Sequence, residues 1–95
     1  MTTHVLLADV NEQRFHTFQE LASIWGDIRN DIEDAGGEVH DSNVLIGDYD
    51  LQVVFDADDE ETVLEVSMAV QRHGLNTKTM RAVPMAQIGE YATDP

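Results

Sequence analysis

The sequence predicts an α+β fold of ferredoxin-like order, β-α-β-β-α-β, in which a four-stranded antiparallel sheet carries two helices on one face. Three observations point to it. Val44 to Phe55 holds two strand-like apolar runs separated by Gly47-Asp48. That is a hairpin signal, because glycine reaches positive φ without steric cost and aspartate tolerates a turn. Apolar residues at Phe18, Leu21, Trp25, Ile28, Ile32 and Ala35 recur every three or four positions, the spacing of one helix face. A carboxylate-rich start at Asp58 to Glu61 then precedes a second helical run.

Taken in order, His4 to Val10 is a short apolar run and reads as the first strand. Asn11 to Thr17 is a polar connection anchored by Phe15. The first helix follows its stripe to Ala35, flanked by Ala22 and Ile24, with Glu20, Asp27, Asp31, Glu33 and Asp34 on the solvated side. Gly36-Gly37 stops it, and Gly26 inside it costs ~1 kcal/mol relative to alanine. Val39 to Ile46 reads as the second strand and Asp50 to Asp56 as the third. Asp58 is the expected N-cap of the second helix, with Glu61 three residues on completing a capping box. That helix continues through Val63, Leu64, Ser67, Met68 and Val70 and ends near His73-Gly74. Thr77 to Val83 is the fourth strand, stopped by Pro84. Met85 to Tyr91 adds a short helical turn held by Ile88 and Tyr91, before a loose tail at about residues 92–95. The sequence contains no internal repeat or linker, so residues 1–95 read as one domain. A chain this size buries roughly 60–70% of its unfolded surface, enough for one core.

Charge is the most unusual global property. Nineteen acidic residues stand against five basic ones, for a formal charge of −14. Such a surface repels phosphate backbones and anionic lipid, which argues against nucleic-acid and membrane partners. The apolar periodicity argues against disorder. Lys78 is the single lysine, and an acid-rich, lysine-poor folded chain fits a halophilic host whose salty cytoplasm screens self-repulsion. With no cysteine, disulfides, thiolate catalysis, zinc-thiolate centres and iron–sulfur clusters are excluded. Met-Thr-Thr-His resembles no signal peptide and no apolar run approaches ~20 residues, so a cytoplasmic location is expected.

The sheet is expected to be apolar on both sides. On the third strand Leu51, Val53 and Phe55 point one way, while Gln52 and Val54 point the other. Near the end of the second strand, Val44 and Ile46 share one face and Leu45 takes the opposite one. A small domain with two apolar sheet faces predicts a partner, and a homodimer burying sheet against sheet is the simplest.

These residues also carry a family resemblance. Gly47-Asp48-Tyr49-Asp50 matches a Gly-acid-Tyr-Asp motif, Glu12-Gln13 begins a matching spacing to Gly36-Gly37, Ala57-Asp58-Asp59-Glu60 opens the second helix, and Thr77-Lys78-Thr79-Met80-Arg81-Ala82 resembles a closing strand. Over nearly its whole length the chain resembles the GYD-domain proteins, small bacterial and archaeal proteins of dimeric α/β-barrel type. It departs from them in having Glu20-Leu21-Ala22 where Asp-Ser-Pro commonly opens the first helix. The resemblance implies a fold and a homo-oligomer, and it names no reaction.

Candidate site residues are few. Tyr49 and Asp50 could line a ligand pocket and move a proton, or Asp50 could bind turn amides while the Tyr49 ring packs beside the hairpin. Among His4, His16, His40 and His73 no pair has the i, i+4 spacing of a metal site. His40, beside Asp41, is the best candidate for a base or a heme-type axial ligand, weighed against an ordinary half-exposed strand histidine. His73 stands at a helix C-terminus, where a cation is mildly favoured. Trp25 could wall a planar ligand or simply pack in the core, with Arg29 one turn away. Arg81 could hold a substrate carboxylate or pair with a nearby acid. Met68, Met80 and Met85 read as core filler. Asp56, Asp58, Asp59, Glu60 and Glu61 lack the spacing of a calcium loop and read as a solvated helix start, so no metal and no cofactor is expected. Two functions follow. The favoured one is a non-catalytic small-molecule-binding or assembly module acting as a homodimer or higher homo-oligomer. The alternative is a cofactorless enzyme of monooxygenase or isomerase type, using His40, Tyr49 and Asp50 with Arg81.

Overall fold

In the computed structural model, residues 1–10 and 18–92 are described. They form β1 (Thr2–Val10), α1 (Phe18–Asp34), β2 (Glu38–Val44), β3 (Leu51–Ala57), α2 (Glu60–Gln71), β4 (Leu75–Ala82) and α3 (Met85–Ala92). The four strands make one antiparallel sheet in the order β2-β3-β1-β4. This is the β-α-β-β-α-β order of the ferredoxin-like fold, extended by α3. The expected Asn11 to Thr17 connection, with Phe15 and His16, lies outside the described residues, as does the tail beyond Ala92.

Period-two alternation divides the sheet. His4, Leu6 and Ala8 on β1 and Leu51, Val53, Phe55 and Ala57 on β3 are buried under the helices. From α1, Leu21, Ile28 and Ile32 complete the core, and from α2, Val66 and Val70. Ile24, Trp25 and Ala35 pack at its margin. The two helices approach closely at Gly37. A Cβ there would stand 2.9 Å from the methyls of both Ile32 and Val66.

Several expectations are corrected. Gly47-Asp48 does not form a tight two-residue turn. β2 ends at Val44, and the hairpin closes through Leu45 N–H donating to the Asp50 carbonyl at 2.9 Å, leaving Ile46 94% exposed. α2 is capped by Asp59, not Asp58. The Asp59 backbone is extended (φ −150°) and its carboxylate accepts the Thr62 N–H at 2.8 Å, so no capping box with Glu61 is needed. Phe18 is half-exposed at the start of α1. On α2, Leu64 and Met68 are 60% and 45% exposed, because the helix turns Val66, Ala69 and Val70 inward instead. Met80 and Met85 are exposed too, so none of the three methionines fills the core. β4 begins two residues earlier than expected, at Leu75.

Candidate functional site

The outer face of the sheet, away from the helices, carries Thr3, Val5, Leu7 and Asp9 of β1, Gln52, Val54 and Asp56 of β3, and Lys78, Met80 and Ala82 of β4. Val5 pairs with both Val54 and Met80, which sets an apolar centre across three strands. Val5, Leu7 and Val54 are half-buried and Met80 is 49% exposed.

At one end of this face stands His40. The β2–β3 register slips between Val39, opposite Phe55, and Asp41, opposite Val54, so His40 is the extra residue of a β-bulge. The bulge brings its Nε2 to 2.7 Å from Asp56 Oδ2. The other oxygen of Asp56 accepts the Thr3 hydroxyl at 2.6 Å, across the β1–β3 pair. The hydrogen bond to Asp56 raises the His40 pKa above its ordinary 6.5 against a desolvation cost, and the charges of Asp56 and Glu38 add to the rise. Hydrogen bonds from Thr3 and then from His40 hold Asp56 below its ordinary 3.8. The ring of His40 is 44% exposed.

At the other end lie the hairpin residues. Asp50 Oδ2 accepts the Val10 N–H at 2.9 Å, and the Asp50 N–H donates to the Ala8 carbonyl at 2.9 Å. The residue thus stitches the hairpin loop to the end of β1. Lys78 Nζ lies 5.6 Å from the centre of the Tyr49 ring. Hydrogen bonding to Tyr49, with the charges of Tyr49 and Asp9, raises the lysine pKa above 10.5. Gln52, on this end, is four residues from Asp56 along β3, which separates the two groups by about 13 Å.

Trp25 is half-buried on the helix side, in a cleft of about 170 Å³ between α1 and β2 whose walls include Leu21, Ser42, Asn43, Val44 and Leu51. That is smaller than the roughly 300 Å³ of an ordinary ligand pocket. Arg29 Nε is spent on Glu33 Oε1 at 2.9 Å, one turn along α1. Arg81 is exposed on β4, opposite His4 in the register. His4 is buried and stacks on Phe55 at 5.5 Å. His73 Nε2 lies 2.7 Å from Asp31 Oδ2, tying the end of α2 to α1. Among the described residues no three or more histidine or acidic side chains converge as a metal site, and no helix is long and apolar enough to cross a membrane.

The structure therefore distributes the candidate residues rather than gathering them. His40 is at one end of the outer face and Tyr49 and Asp50 at the other, while Trp25 and Arg29 are on α1. The partner of His40, Asp56, and the Thr3 hydroxyl that holds Asp56 are not legible in the sequence. Alternation places Asp56 on the outer face, but a β-bulge and a cross-strand register are needed to bring His40 to it.

A family model described as the GYD domain matches residues 4–92. Among solved structures, the protein TTHA0845 from Thermus thermophilus superposes with a TM-score of 0.58 at 18% identity, over 88% of this chain and 95% of that one. A protein described as FFRP-DM1 superposes at 0.56 and 21% identity, over 87% and 100%. A putative glycine cleavage system transcriptional repressor does so at 0.56 and 19%, over 88% of this chain and 48% of its own. At these identities the likeness is one of fold. No curated protein matches the chain.

Proposed function

We propose that this chain, which belongs to the GYD domain family, is a homo-oligomeric module that binds a small molecule. The observation that carries the reading is the outer sheet face, where Val5, Leu7, Val54 and Met80 form a contiguous apolar centre within a single small domain. A second copy presenting the same face would cover it symmetrically. The Trp25 cleft is the ligand site in this reading. Its walls are mostly apolar, Ser42 supplies a polar side chain, and the −14 charge disfavours an anionic ligand. One solved protein of similar fold is described as a transcriptional repressor, a regulatory role that fits binding and assembly. The charge argues against direct contact of this chain with nucleic acid. We place the protein in the cytoplasm of a halophilic host on its acid-rich, lysine-poor composition.

Light scattering at micromolar concentration in molar KCl is expected to give a dimer or larger, and Met80→Asp is expected to give a monomer that keeps its circular dichroism. A monomeric wild type would remove the assembly half of the reading. Trp25 is the only tryptophan, so its emission reports the cleft directly. Titration with neutral and cationic aromatic compounds should quench it and raise the Tm together. If no compound moves either signal, the cleft is core margin and nothing more.

A further inference from the structure

We propose that His40 is a proton acceptor, held by Asp56, whose carboxylate Thr3 fixes in turn, for a weakly acidic C–H or O–H group of a small molecule at the β2 edge of the sheet. The geometry is that of an oriented base. Nε2 of the ring meets Asp56 Oδ2 at 2.7 Å, and the opposite oxygen of that carboxylate is fixed by the Thr3 hydroxyl at 2.6 Å. With Nε2–H donating to the carboxylate, the lone pair of the neutral ring is on Nδ1. A histidine aligned by a carboxylate in this way takes a proton without a cofactor, and the carboxylate stabilises the imidazolium that forms. The bulge at His40 sets the ring toward the outer face on the edge strand β2, to the side of the apolar centre at Val54 and Val5. The groups that face this site are Asp56 of β3, Thr3 of β1 and Glu38 of β2, with the N-terminal amine acting on Asp56. All three strands belong to one copy, so the proposal goes beyond binding and survives a monomeric result. Asp56 and Thr3 are positioning residues here.

A nitrobenzisoxazole tests the inference, since a base alone opens its ring. His40 Nδ1 takes the proton from the carbon beside the ring nitrogen, the C–H electron pair completes a nitrile, and the N–O bond breaks with its pair leaving as phenolate. No oxidant or reductant is consumed. In molar KCl the wild type should exceed an equal concentration of free imidazole by on the order of 100-fold. His40→Gln should fall to the imidazole-free background. Asp56→Asn should lower the plateau and also move the acid limb of the pH–rate profile down, because the hydrogen bond that raises the His40 pKa is lost. A wild type no faster than imidazole, or a His40→Gln variant as fast as the wild type, overturns the inference. If His40→Gln loses its circular dichroism, the Asp56→Asn profile decides, and an unmoved acid limb overturns it.

Discussion

At the scale of single residues, the most conspicuous motif of the sequence ties one stretch of backbone to another. Asp50 belongs to the motif that stands out in the sequence, and its carboxylate is occupied by the Val10 N–H. An unpaired backbone donor at that point would cost about 1–3 kcal/mol, which explains an aspartate there without a reaction. His40 and Asp56 titrate in opposite senses, and the sign gives a testable window. The raised histidine contributes stability that is full below its unfolded pKa of about 6.5 and is lost as pH rises through its folded value. The lowered aspartate contributes above about 3.8 and loses that contribution as pH falls through its folded value. The stability difference between wild type and His40→Gln should therefore be widest between about pH 4 and 6.5 and shrink toward pH 8, measured by denaturant unfolding at fixed salt. A difference independent of pH would show that the ion pair is not formed in solution.

At the scale of elements, the two glycines of α1 and its end have opposite meanings. Gly26 has nothing within 4 Å of where a Cβ would stand, so Gly26→Ala should stabilise the helix by about 0.5–1 kcal/mol. At Gly37 an added methyl would meet Ile32 and Val66 at 2.9 Å, both in the core, so Gly37→Ala should cost about 1–3 kcal/mol. Equilibrium unfolding of the two variants checks both signs. α2 illustrates how an element can carry two apolar stripes. Val63, Val66 and Val70 compete with Leu64 and Met68, and the first set is the one packed against the core of α1 and the sheet. A helical period locates the helix, and packing selects which stripe is buried.

At the scale of the whole molecule, charge and exposed apolar surface act against each other. Self-repulsion among 19 acids opposes the compact state, and salt screens it within about 10 Å at 0.1 M and about 3 Å at 1 M. The Tm should rise steadily from dilute buffer to molar KCl. An unchanged Tm would separate the composition from any need for salt. The same screening would let two outer faces, each with an apolar centre and a rim holding Asp9, Asp56 and Lys78, approach one another.

The sequence by itself determined the order of elements, the antiparallel four-stranded sheet and the buried apolar face of β3. Those follow from periods of two and 3.6 and from glycine stops, which act over a few neighbouring residues. Only the tertiary structure decided that Asp50 reaches Val10 across 40 positions, that Asp59 rather than Asp58 caps α2, and that a bulge turns His40 onto Asp56, whose other oxygen Thr3 holds. The Asp50 and His40 contacts depend on strand register between segments distant along the chain, and register is set by the packing of all strands together. The cap depends on which of two adjacent aspartates has extended backbone, which the path of the chain out of β3 decides.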